Sequence, residues 1–331
     1  MTLTIAINLS LPTKNLFRSS QSKEFSAMTK ILKNKVVVVA MYQFVQLDDF
    51  IELKPLLMKV CGENEIVGTI LLAHEGLNGT IAGPRNGIDN LLNFLLSEPR
   101  FKNMRYKESI AATSPFRRLK VRLKREIVTM GVPGTNPEEL SGKRVDAKHW
   151  NELVKDPDVL MLDTRNIYEH EVGTFKNAIS PETEKFRDFP KFVDNCLRPQ
   201  KHQKIAMFCT GGIRCEKASN YMIKRGFKEV YHLDGGILKY LETIEKKDSL
   251  WQGECFVFDE RVTVDQDLKP GSYVQCYACR RPLSDTDLKS QHYEVGVSCH
   301  YCYGKHADKK LEGLRERQRQ HELINSQVED I

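Results

Sequence analysis

A short apolar run, Lys204 to Phe208, carries the chain into Cys209-Thr210-Gly211-Gly212-Ile213-Arg214, and helical spacing follows over Lys217 to Arg225. A strand that stops at a glycine-rich loop and resumes as a helix aims backbone N–H groups into the loop. The helix N-terminus adds positive potential there. A thiol at the head of such a loop is held below its ordinary pKa and becomes a nucleophile near neutral pH. Gly211 and Gly212 let the backbone curl round the sulfur without side-chain obstruction, and Arg214 is placed to brace an anion or the loop carbonyls. Four residues separate Cys209 from Arg214. Cysteine phosphatases wrap a tetrahedral phosphate with one residue more, so this smaller ring suits a sulfur-sized guest and argues against a phosphatase.

The segments around the loop alternate. Val159 to Asp163, Ile205 to Cys209 and Val230 to Leu233 are brief apolar runs, with helical spacing over Lys148 to Lys155 and Phe189 to Cys196. That alternation predicts a parallel sheet with helices on both faces. The chain before it has a different rhythm. Lys35 to Phe44 and Ile66 to Ala73 read as strands, and Asp48 and Asp49 open a helix that runs through Leu57 and Val60. Asn78-Gly79 predicts a two-residue hairpin turn into Thr80 to Ala82. Ile88 to Leu96 is helical by spacing and Met104 to Ile110 is a further strand. The order β-α-β-β-α-β predicts a ferredoxin-like sandwich. Gly131 to Gly142 reads as the linker between the two.

Pro115 to Arg125 alternates with a period of two. Leu119, Val121 and Leu123 face one way, while Arg118, Lys120, Arg122 and Lys124 face the other. With Arg117 and Arg125, six positive charges fall within eleven residues, although the whole chain of 331 residues carries only +6. Such a stripe exceeds what solubility requires and predicts an anionic partner.

Nine cysteines is an odd count, and no secretory leader is recognisable at the start of the sequence. A reducing, cytoplasmic setting is the expectation, with cysteines serving metal or catalysis. Cys276-x2-Cys279 and Cys299-x2-Cys302 stand nineteen residues apart. Each pair offers two thiolates on one tight turn, and four sulfurs close a tetrahedral shell, so the pattern predicts a structural zinc. His292 and His300 are spare donors. Cys215, directly after Arg214, reads either as a partner that resolves an oxidised Cys209 as a disulfide or as a small apolar residue in the first helical turn. Phe256 to Val262 reads as a strand whose aromatic residues belong to the core in preference to serving as base-stacking platforms, and Lys309 to Asp330 as a solvated helix. No run of eighteen apolar residues predicts a membrane span, and no glycine-rich nucleotide loop occurs. No protein partner is indicated.

Beyond these readings the sequence resembles known families. Leu162-Asp163-Thr164-Arg165-Asn166-Ile167-Tyr168-Glu169, with Gly173 and Ala178-Ile179, resembles the upstream signature of rhodanese domains. Val230 to Ile237 resembles their closing signature. Gly173-Thr174-Phe175 stands where rhodaneses commonly have Gly-His-Ile, and Tyr240 where they have a late Trp. More specifically, His74 to Gly83, Pro115 to Val128 and Cys209 to Ser219 are similar to the bacterial tRNA uridine hydroxylase family. The resemblance spans roughly residues 35 to 305.

Residues 1–34 read as a disordered or mis-started extension, with Met28 as a possible start. The domains expected after it are acylphosphatase-like (ferredoxin-like) over 35–130, rhodanese over 131–250 and cysteine-rich with a charged helix over 251–331. The resemblance implies oxygen-dependent 5-hydroxylation of the wobble uridine of tRNA, with molecular oxygen as co-substrate, Cys209, Arg214 and Cys215 at the centre, and Asp163 and Arg165 in support. Two other readings stay open on the residues: a sulfurtransferase that carries a persulfide on Cys209, and a silent rhodanese module that binds RNA.

Overall fold

The computed structural model describes residues 36–329; the extension expected over residues 1–34 lies outside them. Strands β1 (Val36–Phe44), β2 (Val67–Ala73), β3 (Gly76–Gly83), β4 (Arg105–Ala111) and β5 (Leu119–Leu123) form one sheet in the order β4-β1-β3-β2-β5. Helices α1 (Phe50–Glu63) and α2 (Arg85–Ser97) cover one face of it. Ile88, Leu91, Leu92 and Leu95 recur at helical spacing and pack with Leu53 and Leu57 on Val37, Val39, Met41, Ile70 and Ile81. The ferredoxin-like order predicted from the sequence is therefore present, extended by β5, which pairs parallel to β2.

Register decides what occupies the other face. Tyr42 pairs with Asn78 and Arg105, and Ala40 with Thr80 and Lys107. Asn78 pairs with Leu71 and Thr80 with Thr69, which in turn pair with Arg122 and Lys120. Residues directly opposite one another share a face, so Lys120 and Arg122 lie on the face that carries Tyr42. Leu119 and Val121 turn inward as predicted; Leu123, at the strand end, is 38% exposed.

The hairpin turn is not at Asn78-Gly79. It falls at His74–Glu75, where Gly76 takes a φ of +136° and a Cβ would stand 2.0 Å from the Gln43 carbonyl oxygen. Asn78 and Gly79 run through the middle of β3. Asn78 donates its side-chain amide to the Ile127 carbonyl at 2.9 Å, and a Cβ on Gly79 would meet the Thr69 carbonyl oxygen at 2.8 Å. The dipeptide serves close strand approach and a tertiary hydrogen bond, two demands that mimic a turn signal in sequence.

The second unit is a parallel sheet of β6 (Lys143–Val145), β10 (Glu229–Leu233), β9 (Lys204–Phe208) and β7 (Val159–Asp163), in that order. Helices α3 (Ala147–Lys155) and α7 (Gly236–Thr243) pack in one core through Trp150, Val154, Ile237 and Tyr240. Helices α5 (Phe189–Cys196) and α6 (Ile213–Lys224) pack in the other through Phe189, Val193, Ala218 and Met222. A one-turn helix α4 (Ile167–His170) and strand β8 (Gly173–Phe175) follow β7. Asp146 caps α3 by accepting the N–H groups of Lys148 and His149.

Strand β11 (Trp251–Gly253) pairs antiparallel with β8, which inserts Trp251 against Phe175 with ring centroids 5.1 Å apart. The next segment, expected as one strand over Phe256 to Val262, is a hairpin of β12 (Cys255–Phe256) and β13 (Thr263–Val264). Asp259 accepts both the backbone N–H and the guanidinium of Arg261. Such a local side-chain bond competes with strand pairing and turns the chain. A small hairpin, β14 (Val274–Gln275) with β15 (Pro282–Leu283), and the charged helix α8 (Asp308–Glu329) complete the chain. Among the described residues no helix is long and apolar enough to cross a membrane.

The open face of the first sheet is set against the second unit by polar contacts. Arg105 pairs with Asp234, Lys107 with Glu242 at 3.1 Å, and Arg261 donates to Ser109 at 3.3 Å. Lys217, 1% exposed, lies between Glu75 at 2.7 Å and Glu126 at 2.6 Å. Two carboxylates on one buried ammonium offset its loss of water, and removing either side would leave a buried charge unmatched. Glu75 is thus a clasp between the units, while His74 pairs with Asp48 at 2.8 Å.

Candidate active site at Cys209 and the four-cysteine cluster

Cys209 follows the last residue of β9, and its sulfur accepts the Gly212 N–H at 3.1 Å. Gly212 has a φ of +96° and leads straight into α6, which turns the first N–H groups of the helix toward the sulfur. Gly236, at the start of α7, leaves room for the loop: a Cβ there would stand 2.5 Å from the Cys209 carbonyl oxygen. Ile237 and Leu238 donate their N–H groups to the carbonyls of Cys209 and Thr210 at 3.0 and 3.1 Å.

The loop carbonyls are therefore braced by α7, so that of the two roles read for Arg214, an anion or the loop carbonyls, the second falls to Ile237 and Leu238. That guanidinium is held by Glu169 at 2.6 and 2.8 Å and by the Thr210 hydroxyl at 3.2 Å. Glu169 was visible in sequence only as part of a signature. The pairing makes it the anchor of the loop arginine.

Cys209 has no exposed surface. Burial alone would raise its pKa. A hydrogen bond from the Cys215 thiol, the Arg214 charge and the N–H groups of Cys215 and Arg214 outweigh that and hold it at about 6. The Cys215 thiol is pushed well above its ordinary value by burial and by its anionic neighbour, so it stays a donor. The Thr164 hydroxyl lies 3.5 Å from the Cys215 sulfur and donates to the Phe208 carbonyl at 2.9 Å. Cys255, also buried, is pushed up to about 12 by desolvation and remains a thiol.

Asp163 and Arg165 form a pair with no exposure, at 2.6 Å. Burial works against the Asp163 charge, but Arg165 and His170 override it and hold the carboxyl at about 2. Arg165 also donates to the Gly173 carbonyl at 2.6 Å. The pair ties β7 to β8, and no hydrogen bond joins it to the Cys209 sulfur.

A cavity of about 1050 Å³ opens at the loop, lined by Cys209, Thr210, Gly211, Ile213 and Arg214 on one wall and by Ala40, Tyr42, Thr69, Leu71, Asn78 and Thr80 of the first sheet on the other. Lys124 and the β12–β13 hairpin residues Val257, Phe258 and Arg261 line it too. Its volume is at the upper end of the roughly 300–1,000 Å³ usual for small-molecule sites.

Two lining residues carried no sequence signal. Tyr42 donates its hydroxyl to Glu216 at 3.3 Å, and that oxygen would lie 3.2 Å from a Cβ on Gly212. A residue of the first unit thus closes on the nucleophile loop of the second. Phe258 is 58% exposed while Phe256 is buried, so the aromatic residues expected together in the core are split.

Of the basic stretch, Lys124 lines the same cavity. Desolvation lowers the Lys120 ammonium below its ordinary value, and the charges of Arg118, Arg122 and Arg280 of the cysteine region add to it. Among the described residues no carboxylate lies within ion-pair distance of Arg118, Lys120, Arg122, Lys124 or Arg125. Arg117 differs: it pairs with Glu260 at 3.0 Å and lies 3.0 Å from a ring nitrogen of His321.

The sulfurs of Cys276, Cys279, Cys299 and Cys302 all lie within 4.8 Å of one another. Individual separations are 3.9 Å for Cys276 to Cys302, 3.7 Å for Cys279 to Cys299 and 3.8 Å for Cys299 to Cys302. A tetrahedron with metal–sulfur distances of about 2.3 Å has edges of roughly 3.8 Å, so the four thiols fit one metal ion. The candidate donors His292 and His300 are engaged elsewhere, stacked on Tyr303 and 3.6 Å from Asp287.

Residues 36–127 match the UPF0176 acylphosphatase-like domain, and residues 146–243 match the rhodanese-like domain. Among solved structures, a rhodanese-like domain from Anabaena sp. is 20% identical, covers 29% of this chain and 71% of that one, and has a TM-score of 0.26. A rhodanese-related protein from Thermoplasma volcanium is 22% identical over 30% of this chain and 91% of that one, with a TM-score of 0.25. An acylphosphatase from Coxiella burnetii is 20% identical over 29% of this chain and all (100%) of that one, with a TM-score of 0.23.

Proposed function

We propose that this chain, which joins a UPF0176-type acylphosphatase-like domain to a rhodanese-like domain with a cysteine-based site, hydroxylates a tRNA wobble uridine at C5 with molecular oxygen. One observation carries the RNA half of this reading. Lys120 and Arg122 of β5 lie in register with Thr69, Leu71, Asn78 and Tyr42, which line the cavity that Cys209 also lines, and Lys124 just after the strand lines it too. Phosphates tracked along the strand would bring a nucleotide of a single-stranded loop toward the sulfur. The hydroxylation half comes from the sequence resemblance.

In this reading Cys209 is the nucleophile, Arg214 holds its charge and Cys215 donates to it. A thiolate added at C6 of uracil places electron density at C5, which takes up dioxygen as a hydroperoxide. A thiol reductant supplies the two electrons that release the outer oxygen as water, and loss of the C5 proton with departure of the Cys209 thiolate restores the C5–C6 double bond. Glu169 fixes Arg214, and Tyr42 seals the loop from the other domain. Cys276, Cys279, Cys299 and Cys302 hold zinc, which supplies a structural crosslink with no open coordination position. The cytoplasm is the compartment proposed.

A second reading rests on the loop itself. The Gly212 N–H directed at the Cys209 sulfur would equally stabilise a persulfide, and a sulfurtransferase delivering that sulfur to tRNA would use the same basic strand. Sulfur replacing oxygen and oxygen inserted into a C–H bond change the nucleoside mass by the same nominal amount. Turnover under isotopically labelled dioxygen separates them. Label in the nucleoside is the expected result, and a modified nucleoside that contains sulfur and no label refutes hydroxylation.

A further inference from the structure

The β12–β13 hairpin holds one aromatic ring in a position that neither folding nor the nucleophile uses. Phe256 and Val257 are buried, yet Phe258 between Val257 and Asp259 is 58% exposed and lines the cavity with Cys209. Isolated exposed apolar residues are ordinary on a surface. This one is different because it is fixed from behind and faces the reactive site.

Phe256 packs edge-on against Phe258 with centroids 5.1 Å apart, and Tyr168 packs edge-on against Phe256 at 5.3 Å. Tyr168 accepts the Asn166 amide at 2.8 Å. The loop is pinned by the Arg261–Asp259 pair at 2.6 Å and by Glu260 N–H to the Pro115 carbonyl at 3.4 Å. The Arg214 guanidinium lies over the Phe258 ring, 5.8 Å from its centroid, which sets the ring next to the nucleophile loop. A braced, exposed ring beside that loop, in a cavity that Lys124 also lines, matches the needs of a planar base drawn out of a single strand. Such a base loses its stacking neighbours and requires a replacement surface.

We infer that Phe258 is the stacking platform for the target nucleobase, held against Arg214 so that the base edge meets Cys209. This inference rests on the RNA reading above and names the contact that would orient its substrate. The ring binds the base without reading its identity, since every base has a π-face; recognition of uracil falls to polar groups of the sheet wall.

The test is equilibrium binding of two tRNAs to the full-length protein, one with uridine at the wobble position and one abasic there. The wild-type protein is expected to prefer the uridine form by about 5- to 100-fold, the range of one base–aromatic stack. Phe258→Leu keeps the apolar bulk and should erase that preference while leaving abasic binding unchanged, and Phe258→Trp should retain it. Equal weakening of both tRNAs by Phe258→Leu, or no weakening of either, overturns the assignment. If Phe258→Leu leaves the preference intact, the RNA reading stands and only the platform is wrong. If the wild-type protein binds neither tRNA, the RNA reading fails and the platform with it.

Discussion

The molecule contains two cysteine sites built on opposite principles. At Cys209 one sulfur stands alone against backbone N–H groups, an arginine and a donated thiol proton, and its pKa falls to about 6 although it is buried. At Cys276, Cys279, Cys299 and Cys302 four sulfurs lie within 4.8 Å of one another, three of the separations being 3.7 to 3.9 Å, a spacing that fits one ion. The first arrangement stabilises a reactive anion and leaves a cavity beside it. The second encloses its sulfurs and leaves no position for a substrate. What a cysteine does here depends on the donors turned toward it and on access.

Three experiments sharpen that contrast. The largest effect should come from Cys209→Ser, because serine at this position is not ionised near neutral pH. Nucleoside modification should fall at least about a thousandfold, with the melting transition nearly unchanged. Activity persisting in Cys209→Ser would remove the nucleophile from the mechanism.

Next is Cys276→Ser: metal analysis of the wild-type protein should find one zinc per chain, and the variant should have lost it. Structural zinc contributes on the order of 10 kcal/mol to the region it folds, so protease cutting after about residue 270 should accelerate. The titration of Cys209 should not move. A wild-type protein with no bound metal would refute the zinc assignment.

The smallest effect tests the electrostatics of the loop. The hydrogen bond from Cys215 stabilises the Cys209 anion, so Cys215→Ala should raise the Cys209 pKa from about 6 by roughly one unit. Alkylation of Cys209, followed by peptide mass spectrometry, should climb as pH rises through about 6 in the wild type and through a higher value in the variant. The sign follows from the thiolate being the reactive form: reactivity is lost as pH falls through the pKa. An unshifted profile would leave Cys215 as packing.

Much of the architecture could be read directly. Ile88, Leu91, Leu92 and Leu95 announced α2, and the β-branched run at Val36 announced β1, since both follow the period of one buried face. Local signals misled where a residue served a distant partner. Asn78-Gly79 looked like a turn because the neighbours that require it, Thr69 and Ile127, are far enough along the chain to be invisible in a short window. The Phe256 to Val262 segment looked like a strand because the pairing of Arg261 with Asp259 carries no periodicity.

The sequence by itself singled out Cys209, the four cysteines that fit one metal ion and the basic stripe, because each depends on residue identity at short spacing. Two glycines after a cysteine make a loop, and two C-x2-C turns present four thiolates. Only the tertiary structure decided what surrounds the Cys209 thiol. Glu169 meets Arg214 from 45 residues away, and Tyr42 reaches Glu216 beside the loop across 174. Lys120 and Arg122 share the sheet face of the cavity-lining Thr69 and Leu71 because β5 pairs parallel to β2 in that register. Slipping that register by one residue would turn them onto the helix side. The choice depends on the packing of Val121 into the core, a long-range energy that no local pattern contains.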